Sequence, residues 1–130
     1  MAFYTNINLT DAVEPTAAVV TNISGAHSVD SDLSGSWIVT NGISASVTIT
    51  LPADPQIGFF VGVFHAHAIG TYTVTVATAG SDTMYDTDDG TGAGNFVSTV
   101  SSTAGQSGSF YYIGNNKWIE HTYGTWTFST

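Results

Sequence analysis

Apolar and polar residues alternate with a period of two along most of the chain. Residues 46–51, SVTITL, place Val47, Ile49 and Leu51 on one face and Ser46, Thr48 and Thr50 on the other. Residues 71–76, TYTVTV, divide the same way, with Tyr72, Val74 and Val76 opposite three threonines. Successive side chains of a strand point to opposite faces, so both segments read as strands with one buried and one hydroxyl-rich face. The pattern predicts further strands over 17–23, 35–40, 96–101, 107–113, 117–122 and 125–129, and a less regular one over 3–7.

The segments between them carry turn chemistry. Asn41-Gly42 is a hairpin dipeptide, and Gly114-Asn115-Asn116 separates FYYI from KWIEH as a second hairpin. Pro52 and Pro55 bracket a loop, Gly80-Ser81-Asp82 forms a turn, and residues 86–95, DTDDGTGAGN, form the longest loop. Asp11 to Glu14 has capping-box spacing, but Pro15 follows at once and limits any helix to one turn. Short strands with turn signals at intervals of about ten residues predict an all-β fold, an antiparallel β-sandwich or jelly roll with little or no helix. Residues 1–31 are expected to form an N-terminal arm and first strands. Residues 32–130 are expected to form a single β-sandwich domain.

Two segments break the alternation. Residues 59–64, FFVGVF, are apolar on both faces, and FYYI at 110–113 repeats the feature. One small core cannot easily cover four apolar faces, which favours an oligomer. Phe59, Phe60, Val61, Phe64, Tyr111, Tyr112, Trp118 and Trp126 are therefore the candidate subunit interface. Tyr111, Tyr112, Trp118, Tyr123 and Trp126 also form an aromatic cluster. Such a cluster can stack on sugar rings, but core and subunit interface are the favoured uses, because Trp118 and Trp126 lie in alternating strands.

Composition removes several function classes. The 130 residues include one Lys+Arg against ten Asp+Glu, a formal net charge of −9. A nucleic-acid binder needs a basic face, and so does a protein that adheres to anionic membranes; neither partner is expected. Charged residues are 8% of the chain, against about 25% in a typical domain; 20 Thr and 14 Ser take up much of the difference. Without cysteine there is no disulfide framework, thiolate metal site or Cys nucleophile. The start, MAFYTNINLT, lacks the regions of a signal peptide, and no apolar run approaches the roughly 18 residues of a membrane span. The expectation is a chain made in a cytoplasm, soluble or assembling there.

Candidate chemistry is sparse. His65-Ala66-His67 puts two imidazoles on one strand face, within reach of one metal. Two ligands leave the shell incomplete; a third would have to come from His27, His121 or another subunit. The plainer reading is two polar residues where a strand runs into a turn. Asp86, Asp88 and Asp89 form an oxygen-rich loop, but Gly90 occupies position five of an EF-hand count and no Glu closes it. No metal and no cofactor are expected. Gly105-Gln106-Ser107-Gly108 has the wrong spacing for a nucleophile elbow, and the aspartates show no glycosidase pattern, so no enzymatic activity is expected.

From about Asp32 onward the order of elements resembles a β-module of bacteriophage virion proteins. The pieces that carry the resemblance are Asp32, Gly35, Asn41, Thr48 to Pro52 and Gly58 within SDLSGSWIVTNGISASVTITLPADPQIG. They continue in FFVGVFHAHAIGTYTVTVATAGSDTM and in the closing GQSGSFYYIGNNKWIEHTYGTW. Together they cover roughly three quarters of the chain. The resemblance implies a structural, often trimeric protein with no catalytic residues. Such modules occur in tail fibres, tail-associated adhesins and capsid-bound decoration or head-fibre proteins. There the module usually sits inside a longer fibre chain; here it spans nearly the whole sequence, which points to a capsid decoration or cement subunit. The implied partners are the major capsid protein and sister copies in a homotrimer, which would make residues 1–31 an arm that contacts the capsid or another subunit and the eight interface candidates a subunit or capsid interface. The implied location is the outer surface of the virion. The alternative is a tail or head-fibre module that binds host surface glycans.

Overall fold

The computed structural model describes residues 19–66, 71–87, 93–100 and 104–129. They form twelve strands and no helix: β1 (Val20–Ile23), β2 (His27–Ser28), β3 (Ser36–Thr40), β4 (Val47–Thr50), β5 (Phe60–His65), β6 (Thr73–Ala77), β7 (Thr83–Asp86), β8 (Ala93–Gly94), β9 (Phe96–Val100), β10 (Ser107–Gly114), β11 (Lys117–Tyr123) and β12 (Trp126–Phe128). The fold is all-β. The strand expected at 3–7 and the helical turn at 11–14 lie outside the described residues.

Seven strands form sheet A in the order β1-β3-β5-β10-β11-β7-β8, and five form sheet B in the order β12-β9-β6-β4-β2. Over the first half the chain changes sheet at every strand. β1, β3 and β5 enter sheet A as parallel neighbours, while β2, β4 and β6 enter sheet B, also in parallel. Residues 20–77 thus wind through three coils, one strand per sheet per coil. The second half closes this coil mostly with antiparallel strands, β10 on β5, β11 on β10, β9 on β6, β12 on β9 and β8 on β7, while β7 joins β11 in parallel. The expected antiparallel pairing therefore holds for half of the fold, and both sheets are mixed.

The two hairpin signals have different outcomes. Asn115 and Asn116 both have positive φ, 52° and 58°, and Gly114 pairs with Lys117 across them. This is the two-residue turn whose twist matches that of its flanking strands. Gly42 also has positive φ, 70°, but Asn41-Gly42 joins β3 in sheet A to β4 in sheet B and is a corner between sheets. A turn dipeptide sets local φ; it does not choose the partner of the strand that follows.

One cluster of buried side chains draws on both sheets. Ile38, Val61, Val63, Phe110 and Trp118 come from sheet A, and Val47, Ile49, Val74, Val76 and Val97 from sheet B. Phe59 meets the Trp118 ring edge-on at 5.9 Å, and Tyr112 lies 5.1 Å from it. The Trp118 indole N–H donates to Asp82 Oδ2 at 3.2 Å, so both buried groups are satisfied. β1 and β2, the described part of the expected N-terminal arm, are edge strands of the two sheets.

Candidate functional site

Register fixes what each sheet shows to the outside. Across sheet A, Val20, Trp37, Gly62, Ser109 and His121 form one row. Asn22, Val39, Phe64, Ser107 and Tyr123 form the next on the same face. A third runs Phe60, Tyr111, Ile119 and Tyr85. Their neighbours along each strand, such as Ile38, Val61, Val63 and Phe110, point to the core. The outer face of sheet A is thus apolar and aromatic: Trp37, Phe60, Phe64, Tyr111, Ile113 and Tyr123 are 36–59% exposed.

Local contacts build this face. Trp37 lies flat over Gly62; a Cβ at Gly62 would sit 2.5 Å from two carbons of the indole. Glycine weakens a strand, and here it creates the seat for the ring. Phe60 stacks on its cross-strand partner Tyr111 with centroids 5.6 Å apart. His121 and Tyr123 meet edge-to-face, their Nε2 and Oη atoms 2.9 Å apart.

Charge is placed elsewhere. Among the described residues the carboxylates are Asp30, Asp32, Asp54, Asp82, Asp86 and Glu120. The first three lie in loops, Asp82 is buried against Trp118, Glu120 is buried, and Asp86 shares the inward parity of Met84. None of these lies on the aromatic face; Lys117, at the hairpin end, does.

The eight candidate interface residues divide between two environments. Phe60, Phe64 and Tyr111 are on the outer face. Phe59, Val61, Tyr112 and Trp118 are in the core of this chain, so their side chains are not available to a partner. Trp126 is half-buried and packs against the core. Trp37, Ile113 and Tyr123 belong to the face but are not among the eight. Trp37 has the opposite parity to Ile38, and that alternation was the available signal.

Of the metal candidates, His65 is buried, with Nδ1 2.5 Å from the hydroxyl of its register partner Thr40. Its backbone N–H donates to the Gln106 carbonyl. His67, Asp88 and Asp89 lie outside the described residues. Asp86 is the register partner of Glu120 on β11. Among the described residues no group of three or more His, Asp or Glu could hold a metal ion.

Sheet B shows a different outer surface. Thr48, Thr75, Ser98 and Thr127 form a hydroxyl row across four strands. A shallow cavity of about 170 Å³ is lined by Thr73, Ser98, Thr99, Thr125 and Thr127. Its lining offers hydroxyls but no acid, base or charged clamp. No protein-family model matches the chain, and a search of the curated proteins finds no match.

Proposed function

We propose that the chain is a structural virion protein, a capsid decoration or cement subunit carried on the outer surface of a phage head. One observation carries this reading: a broad aromatic strand face, free of carboxylates among the described residues, on a chain that is otherwise acidic and hydroxylated. Contiguous apolar patches larger than a few hundred Å² mark interaction surfaces, and this one is built into the sheet by register. A chain with one Lys+Arg has few ion pairs to assemble with, so its assembly must rest on apolar burial and backbone hydrogen bonds. The acidity suits a surface that must not bind packaged DNA. The resemblance from Asp32 onward supplies the phage context and the major capsid protein as partner.

The test is the copy number of this chain in purified particles, by quantitative mass spectrometry against the major capsid protein. A ratio of the same order as the shell subunit supports decoration; complete absence from particles refutes it. One observation favours a second reading, a tail or head-fibre module for host glycans: the exposed Trp37 and the stacked Phe60–Tyr111 pair form a platform on which a sugar ring can stack. A handful of copies per particle, with sugar binding lost in Trp37→Ala, would favour that reading.

A further inference from the structure

We propose that the aromatic face of sheet A is a self-association surface, covered by the same face of a second copy of this chain. The inference concerns the chain's own assembly: it assigns this face to the contact between copies, leaves contact with a capsid to the rest of the molecule, and stands whether or not the virion reading does.

Topology supports a cover. β1, β3 and β5 are parallel neighbours, and parallel strands are ordinarily buried on both faces. Sheet B, built from β2, β4 and β6 with β9 and β12, covers the inner face only, and Trp37, Phe60 and Phe64 remain exposed on the other.

Charge selects the occupant. Two copies with a net charge of −9 each repel, and repulsion is least where the carboxylates are absent. The described carboxylates all lie off this face. A surface of ordinary composition would bring unpaired charges onto it, and the face has no residues to pair them apart from Lys117 at its rim. Among the described residues the same face of a sister copy carries no carboxylate, and it is aromatic and present at equal concentration.

The area is sufficient. Seven strands about 4.8 Å apart, rising about 3.3 Å per residue over five or six residues, give a projected face on the order of 500 Å². Two copies together bury about 1,000 Å², the size at which specific interfaces begin. A broad sheet face packs most simply on one other sheet about 10 Å away. The proposal is therefore a face-to-face pair in place of the homotrimer that the resemblance implies.

The test is sedimentation velocity on the full chain across the micromolar range, for the wild type and three variants. Ser109→Lys places a charge mid-face, between Gly62 and His121, without removing an apolar contact. Tyr111→Lys does so at the aromatic stack, and Phe96→Lys changes an exposed apolar residue of sheet B. Far-UV circular dichroism confirms that each is folded. The expected results are a species of about 27 kDa, twice the chain's 13.6 kDa, for the wild type and Phe96→Lys, and monomers for the two face variants. Dissociation should rise at least about a hundredfold, because like charges juxtaposed in an interface are strongly unfavourable. A wild-type monomer throughout, a trimer, or a dimer that Ser109→Lys leaves intact would each overturn the proposal.

Discussion

The seat of Trp37 on Gly62 gives a prediction whose sign depends on the background. In Gly62→Ala the new methyl would lie 2.5 Å from the indole, too close for any carbon contact, so the ring must lift. A Trp side chain buries up to about 250 Å². With Trp37 36% exposed, about 160 Å² is covered, worth about 4 kcal/mol at 25 cal/mol per Å². Lifting the ring by about 1 Å forfeits a quarter to a half of its contacts, about 1–2 kcal/mol. Against this, removing a glycine from a strand gains about 0.5–1 kcal/mol. Gly62→Ala should therefore destabilise the wild type by about 1 kcal/mol. In a Trp37→Ala background the ring atoms nearest the methyl are gone, and the same substitution should stabilise by about 0.5–1 kcal/mol. Urea unfolding of the four proteins, followed by circular dichroism at low protein concentration, measures the cycle. The same sign and size in both backgrounds would refute the argument that Gly62 is there for the ring.

Trp118→Phe leaves the buried Asp82 carboxylate without its indole donor and opens a small void; unfolding should show a loss of about 3 kcal/mol, and less of it in an Asp82→Asn background. Gln106 Oε1 accepts the Thr125 N–H at 2.6 Å and lies 2.7 Å from the Thr99 hydroxyl. Gln106→Met removes that acceptor and should cost about 2 kcal/mol in the same assay. At the β10–β11 turn, Asn116 has φ of 58°; Asn116→Ala should lower stability by about 1 kcal/mol, whereas Asn116→Gly should leave it unchanged or raise it, as thermal melts would show.

The strands themselves were legible because a half-buried strand writes its two faces into alternate residues. Val47, Ile49, Val74 and Val76 are all core, as their alternation requires. Their partners were not legible, because alternation is the same in a parallel and an antiparallel ladder. Asn41-Gly42 therefore read as a hairpin when it is a corner between sheets. β7 was missed because TMYD, at Thr83–Asp86, is short and abuts the acidic loop. The two-sided character of FFVGVF was legible, and Phe60 and Phe64 do face outward. Which aromatic residues join them was harder to read. Trp118 is core and Trp37 is surface, and only register, which places Trp37 beside Gly62, shows the difference. The pairing of His65 with Thr40 across two parallel strands has no local signature either.

The account's central claim is that the aromatic face of sheet A works as a buried interface. Hydroxyl-radical footprinting of the assembled chain and of dilute monomer, read residue by residue by mass spectrometry, tests it most directly. Trp37, Phe60, Phe64 and Tyr111 should be protected on assembly, while Ile57, the most exposed of the large apolar residues, and Phe96 on sheet B stay reactive. Trp37 and Tyr111 remaining as reactive in the assembly as in the monomer would contradict the account.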